Sequence, residues 1–245
     1  MASSAAFRDA AILKRLVAAV GPMSSGRVLD LACGPGIVSE AIAPHVAELV
    51  GVDVTPEMLR LARARFQKAK LEHGAFHEAL VERLPYRNGS FDQVITRLSF
   101  HHFEDLHAVL SEIRRVLKPG GKLVLADVVS SEDEDESSLQ NALEKLRDPT
   151  HVRMLPYSEL RALLLHNRFE VLKDEAWFQE RTFDEWAAII AARARTEPLA
   201  RVMRGLARAG EHAGIALHEE AGDLKFTHTW VLLVAEAGSN WRNRG

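Results

Sequence analysis

A doubly wound α/β sheet with a C-terminal helical cap is the fold that this sequence predicts, on three observations. Val28-Leu29-Asp30-Leu31 reads as the end of a buried strand; Gly34 and Gly36 follow, then a helical pattern through Ile37, Ala41, Ile42 and Val46. Strand and helix patterns keep alternating up to about residue 130. Beyond that point helical patterns dominate, with only two late strands.

Residues 7–20 place apolar side chains near helical spacing and predict an amphipathic helix, ended by Gly21-Pro22. The first strand falls at 27–32 and runs apolar because a parallel strand is covered on both faces. A helix over 37–44 and a strand over 48–53 come next. Thr55-Pro56-Glu57 then has the make-up of a helix start: a cap residue, proline in the first turn, and an acid near the positive end of the helix dipole. A weak strand signal lies at 75–79, and Leu84-Pro85-Tyr86 with Asn88-Gly89-Ser90 reads as a turn-rich connector. A strand is expected at 91–96, and a helix at 104–117 is broken by Lys118-Pro119-Gly120-Gly121. A fifth strand is expected at 122–128. Residues 131–138, five acids among serines, read as an exposed loop leading into a helix through Leu139, Leu143 and Leu146. A helix at 158–167, a strand at 169–178, a helical stretch over 183–213 broken at Pro198, and a strand at 225–236 complete the chain. On this reading residues 1–25 form an N-terminal helix. Residues 26–245 form one domain, in which 131–168 and 183–213 supply the cap helices.

Composition narrows the class. Of the 245 residues 47% are apolar and 27% charged, usual for a soluble globular domain. No apolar run approaches the ~20 residues of a membrane span, and the N-terminus lacks a signal-peptide pattern. The single cysteine, Cys33, excludes an intrachain disulfide, suits a reducing cytoplasm, and reads as a small packing residue. A net charge of −3 lacks the basic excess of a nucleic-acid enzyme. Arg193, Arg195, Arg201, Arg204 and Arg208 fall on an Ala- and Leu-rich helical pattern and read as its solvated face.

The glycine loop constrains the ligand. A dinucleotide fingerprint places a third glycine at position 39 and keeps acids away from the pyrophosphate. Here position 39 is Ser, and Asp30 stands at the mouth of the loop, where a carboxylate attracts an ammonium or sulfonium group. Seventeen residues beyond Gly36, Asp53 ends a second apolar strand, where an acid accepts hydrogen bonds from ribose hydroxyls. A cationic, phosphate-free nucleoside fits this pair of acids better than a dinucleotide does.

S-adenosylmethionine answers that description. With it, the chain resembles the class I methyltransferases of the large type 11 group, which includes quinone-biosynthesis methyltransferases. The matching segments are 28–39, 51–59, 82–91, 94–103 and 115–127, in the family's order. The resemblance implies a Rossmann-like, seven-stranded sheet whose last strand is antiparallel. It also implies transfer of a methyl group from S-adenosylmethionine to an O, N or C atom of a small molecule, without a metal. The implied cofactor contacts are Asp30, Ala32, Gly34 and Gly36 on the loop; Asp53, Val54 and Met58 after the second strand; Leu80 and Val81 beside adenine; and Arg97 near the methionine portion. Where the family often has an adenine-binding Asp, this sequence has Leu80. Backbone groups near Leu80 and Val81, with apolar contact from Val54 or Met58, are then left to hold adenine. Glu82 is a second candidate.

His101 and His102 follow the fourth strand. An imidazole with a pKa near 6.5 can accept a substrate proton at neutral pH. The alternative is a structural pair that caps the next helix or bonds backbone. Neither has metal-ligand spacing. Asp148, His151 and Arg153 are candidate substrate contacts, or else ion-pair partners that hold the cap. Trp177, Trp186 and Trp230 read as core aromatics. Two rival functions remain open at this point: a non-methylating enzyme on the same scaffold, and a cofactor-binding module without chemistry.

Overall fold

The computed structural model describes residues 10–190 and 193–238. Five parallel strands, β1 (Met23–Leu31), β2 (Val46–Asp53), β3 (Gly74–Glu78), β4 (Phe91–Arg97) and β5 (Leu117–Val129), stand in the order β3-β2-β1-β4-β5. Strand β8 (Asp223–Ala237) joins β5 antiparallel, and β6 (Phe169–Thr182) joins β8 antiparallel at the edge. This is the expected seven-stranded path with its last strand reversed. A short eighth strand, β7 (His218–Glu220), pairs with β8 across a hairpin whose central residues Ala221 and Gly222 have φ of 51° and 89°. His-Glu-Glu carries no strand periodicity, so the sequence reading omits β7.

Burial explains the layers. Val28, Leu29 and Leu31 on β1 and Leu49, Val50 and Val52 on β2 have no exposed surface, as strands covered on both faces require. On one side α1 (Ala10–Val20) buries Ile12, Leu16 and Val20, four residues apart, in a cluster shared with α2 (Ile37–Ile42) and α3 (Pro56–Ala69). Each such side chain contributes roughly 1.5–3 kcal/mol. On the other side α4 (Leu106–Val116) and α6 (Tyr157–His166) contribute Val109, Leu110, Ile113, Leu160 and Leu164. Helix α6 therefore packs with the sheet, although it lies in the stretch read as cap.

A third cluster forms the cap. Leu143 of α5 (Glu134–Arg147), Phe183 and Trp186 of α7 (Phe183–Ala188), and Leu199 and Met203 of α8 (Arg193–Arg208) pack with Leu224 and Phe226 of β8. Two expectations are corrected here. The acidic run is a helix start rather than a loop: Asp133 accepts the N–H groups of Asp135 and Glu136, each at 3.0 Å, and Glu134, Asp135 and Glu136 occupy the first turn, where the dipole favours acids. The helical pattern is broken at Ile189 and Ile190, which form a turn after α7, whereas α8 runs through Pro198. Proline near a helix start forfeits one backbone bond, and the buried Leu199 and Met203 offset it.

The strand order reverses between β1 and β4. Loops leaving the carboxyl ends of these strands diverge and leave a crevice there.

Candidate active site

The loop after β1 is fixed by backbone geometry and one carboxylate. Asp53, at the end of β2, accepts the Gly34 N–H on Oδ2 and the Thr55 N–H on Oδ1, both at 2.8 Å. It thereby ties the glycine loop to the start of α3. Gly34 has φ of 51° with open space where a Cβ would stand. Gly36 has φ of 74°, but a Cβ there would lie 2.9 Å from the Ala62 Cβ, so this glycine lets α2 approach α3. Ala32 also adopts a left-handed conformation, φ 54°.

Asp30 departs from its expected place. Its carboxylate is 2% exposed and accepts the Ser39 hydroxyl on Oδ2 at 2.5 Å. It is turned into the fold rather than standing at the mouth of the loop. Burial pushes its pKa up to about 7, against the opposing effects of Ser39 and Arg97.

A crevice of about 480 Å³ opens at the carboxyl edge. Of the expected cofactor residues, Ala32, Asp53, Val54, Leu80 and Val81 line it; Asp30, Gly34, Gly36, Met58 and Arg97 do not. Val54 and Leu80 are each 58% exposed, an apolar pair left open to a ligand. Among the described residues its wall carries three carboxylates, Asp53, Glu82 and Asp148, and no lysine or arginine.

A second, inner pocket of about 200 Å³ lies beneath the cap. Leu98, His102 and Asp148 line both spaces, so the two meet there. His101 and His102 sit on a 3₁₀ turn after β4, Phe100–His102. Asp127 of β5 accepts the N–H groups of Phe100 and Val128, at 2.9 and 2.8 Å, and the His101 Nδ1 proton at 2.7 Å. Burial opposes charge on both partners. Their mutual attraction wins, holding Asp127 below the carboxylate range and His101 above its ordinary value. His102 differs. Burial and the neighbouring His101 lower its pKa. The Thr150 carbonyl, 3.1 Å from Nδ1, can only accept, which leaves Nε2 as the unprotonated nitrogen. The pair does not cap α4, whose cap is Asp105, accepting from the Ala108 N–H at 2.9 Å.

Of the three expected substrate contacts only Asp148 reaches these spaces. His151 donates from Nε2 to Asn141 Oδ1 at 2.8 Å, and burial pulls it down to about 4, so it stays neutral. Arg153 forms a surface ion pair with Glu159 at 2.7 Å. Both hold the segment in place. Glu144, Arg147, Arg181, Trp186, His228 and Trp230 line the inner pocket unforeseen. The tryptophans are core and pocket wall at once, and Glu144 and Arg147, three apart on α5, resemble an ordinary surface ion pair in sequence.

Residues 29–125 match the methyltransferase domain of the type 11 family. The uncharacterized methyltransferase YcgJ of Bacillus subtilis is 36% identical over 160 residues, 65% of this chain and 63% of YcgJ. Its crystal structure superposes with a TM-score of 0.85 and 27% identity, covering 92% of this chain and 97% of that one. In the sequence of residues 29–125 and in its whole fold the chain is similar to the class I methyltransferases of this group. The demethylmenaquinone methyltransferase of Deinococcus radiodurans is 44% identical over 107 residues, 42% of this chain and 44% of that protein. Sequence matches span 50% to 63% of the length of the first curated relatives. The family model covers residues 29–125 alone, while the structural likeness to YcgJ extends over 92% of the chain. The fold hosts other reactions too: the [4+2]-cyclase SpnF shares it at a TM-score of 0.66 and 19% identity, covering 94% of this chain and 84% of that one.

Proposed function

We propose that this protein is an S-adenosylmethionine-dependent methyltransferase acting on an O, N or C atom of a small molecule. One observation carries the reading: among the described residues, the crevice at the switch point is lined by three carboxylates and by neither lysine nor arginine. That wall suits a cationic nucleoside and repels a pyrophosphate.

Asp53, already oriented by two backbone N–H groups, keeps acceptor capacity for a ribose diol. Val54, Leu80 and Val81 offer apolar surface to adenine, and Glu82 replaces the family's usual acid as acceptor for its amino group. When bound, S-adenosylmethionine supplies a methyl group made electrophilic by its sulfonium charge. The chain's own task is then placement and proton removal. His102 stands where crevice and pocket meet, neutral, with Nε2 free to take the acceptor's proton. His101, held by Asp127, fixes the turn that carries it.

Calorimetry with S-adenosylhomocysteine and, separately, NAD⁺ tests the pocket. Binding of the first and none of the second is expected; the reverse overturns the reading. Incubation of the protein and methyl-labelled S-adenosylmethionine with a metabolite extract should then label a small molecule, read by mass spectrometry.

A further inference from the structure

The inner pocket carries an imbalance that its own residues do not resolve. Its acids are satisfied. Glu144 Oε2 accepts Arg147 Nε and Nη2 at 3.0 and 2.8 Å, and Oε1 accepts Trp186 Nε1 at 3.2 Å and lies 3.4 Å from His228 Nε2. Asp148 Oδ1 accepts the Thr150 N–H and hydroxyl at 2.9 and 2.6 Å. The donors are not all satisfied. Arg147 is 8% exposed, and Nη1, the nitrogen that Glu144 leaves over, is buried without a hydrogen-bond partner among the described residues. The indole Nε1 of Trp230, which also lines the pocket, is likewise buried and without a partner among the described residues. An unmade bond from a buried donor costs about 1–3 kcal/mol, more when the donor is charged. Two in one small space call for an acceptor from outside.

The remaining wall sets the ligand's body. Leu98, Val128, Met154, Ile189 and the Trp186 ring are apolar, and the Arg147 guanidinium lies 4.7 Å from the Trp186 ring centroid, which takes up one face of that ring. A volume of about 200 Å³ falls below the ~300 Å³ at which drug-sized sites begin. We propose that this pocket seats a compact, ring-sized methyl acceptor by a carboxylate group held on Arg147 Nη1 and the Trp230 N–H. Naming the ligand an acceptor rests on the methyltransferase reading; the carboxylate preference rests on the pocket alone. Glu144 is a positioning residue here: its Oε2 holds the Nε–Nη2 edge of the guanidinium and leaves Nη1 for the ligand.

Benzoate, benzamide and benzylamine, alike in size, separate anionic, neutral and cationic ligands. In calorimetry or ligand-observed NMR on the full chain, benzoate should bind at least about tenfold more tightly than benzamide, as a charge-assisted bond implies. Benzylamine should bind no better than benzamide. Arg147→Gln should cut the preference for benzoate severalfold, with Arg181 still in the pocket lining. Because that change leaves Glu144 short of a partner, Trp230→Phe serves as the second variant: it removes one N–H while keeping a ring, and should weaken benzoate severalfold at an unchanged melting temperature. Tighter binding of benzylamine than benzoate, no benzoate binding at all, or benzoate affinity unaltered in Trp230→Phe would overturn the proposal. Titration of S-adenosylhomocysteine on the same preparation reports the crevice separately. Benzoate binding without it would remove the methyltransferase reading and leave the carboxylate site, and the converse would do the opposite.

Discussion

His101 and His102 are neighbours in sequence with ring centroids 4.3 Å apart, yet their surroundings set them opposite roles. Asp127 favours the charged form of His101, and that charge, added to burial, disfavours charge on His102. One imidazole is thus fixed as an anchored donor while the other stays a free base. His102→Gln should lower kcat by about 10²–10⁴-fold, the usual worth of a general base. The dissociation constant of S-adenosylhomocysteine should stay within about threefold. Wild-type turnover in the variant would remove His102 from the mechanism. The wild-type rate should fall on the acid side as His102 takes up a proton, with its inflection below the ordinary 6.5 because the folded pKa is lowered. An inflection above 6.5 would point to His101 instead, whose pKa is raised.

The glycine loop shows how much an element reveals of itself in sequence. Two glycines two apart after a buried strand announce the turn, but they do identical work only on paper. Gly36 holds a left-handed backbone and lies against Ala62, whereas Gly34 has the backbone requirement alone. Gly36→Ala should therefore lose clearly more stability than Gly34→Ala, which should cost about 1–2 kcal/mol from backbone strain. Urea denaturation of the two variants checks the order, and equal losses would contradict it. The loop, β1, β2 and Asp53 were legible because their constraints are local: period, turn chemistry and a strand-end acid. Asp53 still proved only 9% exposed, since backbone donors from two directions converge on it. The cap was less legible. The acids at 134–136 have the composition of a solvated loop, and only the Asp133 cap and the contacts of Leu143 decide for helix. Arg147 and Trp230 gain their meaning from neighbours far along the chain, which no single-segment pattern encodes. Asp30 failed in the same manner: the motif located it, but the Ser39 bond and burial set its direction.

That misplaced acid has a consequence for the stability of the whole molecule. A carboxyl whose folded pKa is pushed up to about 7, well above the usual carboxylate range, binds a proton in the folded state over a range where the unfolded chain has released it. Its contribution is thus fully present below about pH 4 and is lost as pH rises through 7, at most roughly 4 kcal/mol. Asp127 and Glu144 act with the opposite sign, because their folded pKa values are lowered. Their contribution is complete above the ordinary carboxylate range and disappears only in acid. His101, with a raised pKa, loses its contribution as pH climbs past its folded value, overlapping Asp30. Comparison with Asp30→Asn cancels these other groups, since all are common to both proteins. The amide oxygen still accepts the Ser39 hydroxyl and carries no charge to desolvate. Urea unfolding at pH 5 and pH 8 should show the variant gaining on the wild type by more than about 1 kcal/mol between the two. A difference independent of pH would mean that Asp30 is ionised throughout. In that case the carboxylate at the end of β1 would carry its negative charge beside the crevice after all, within reach of a bound cation.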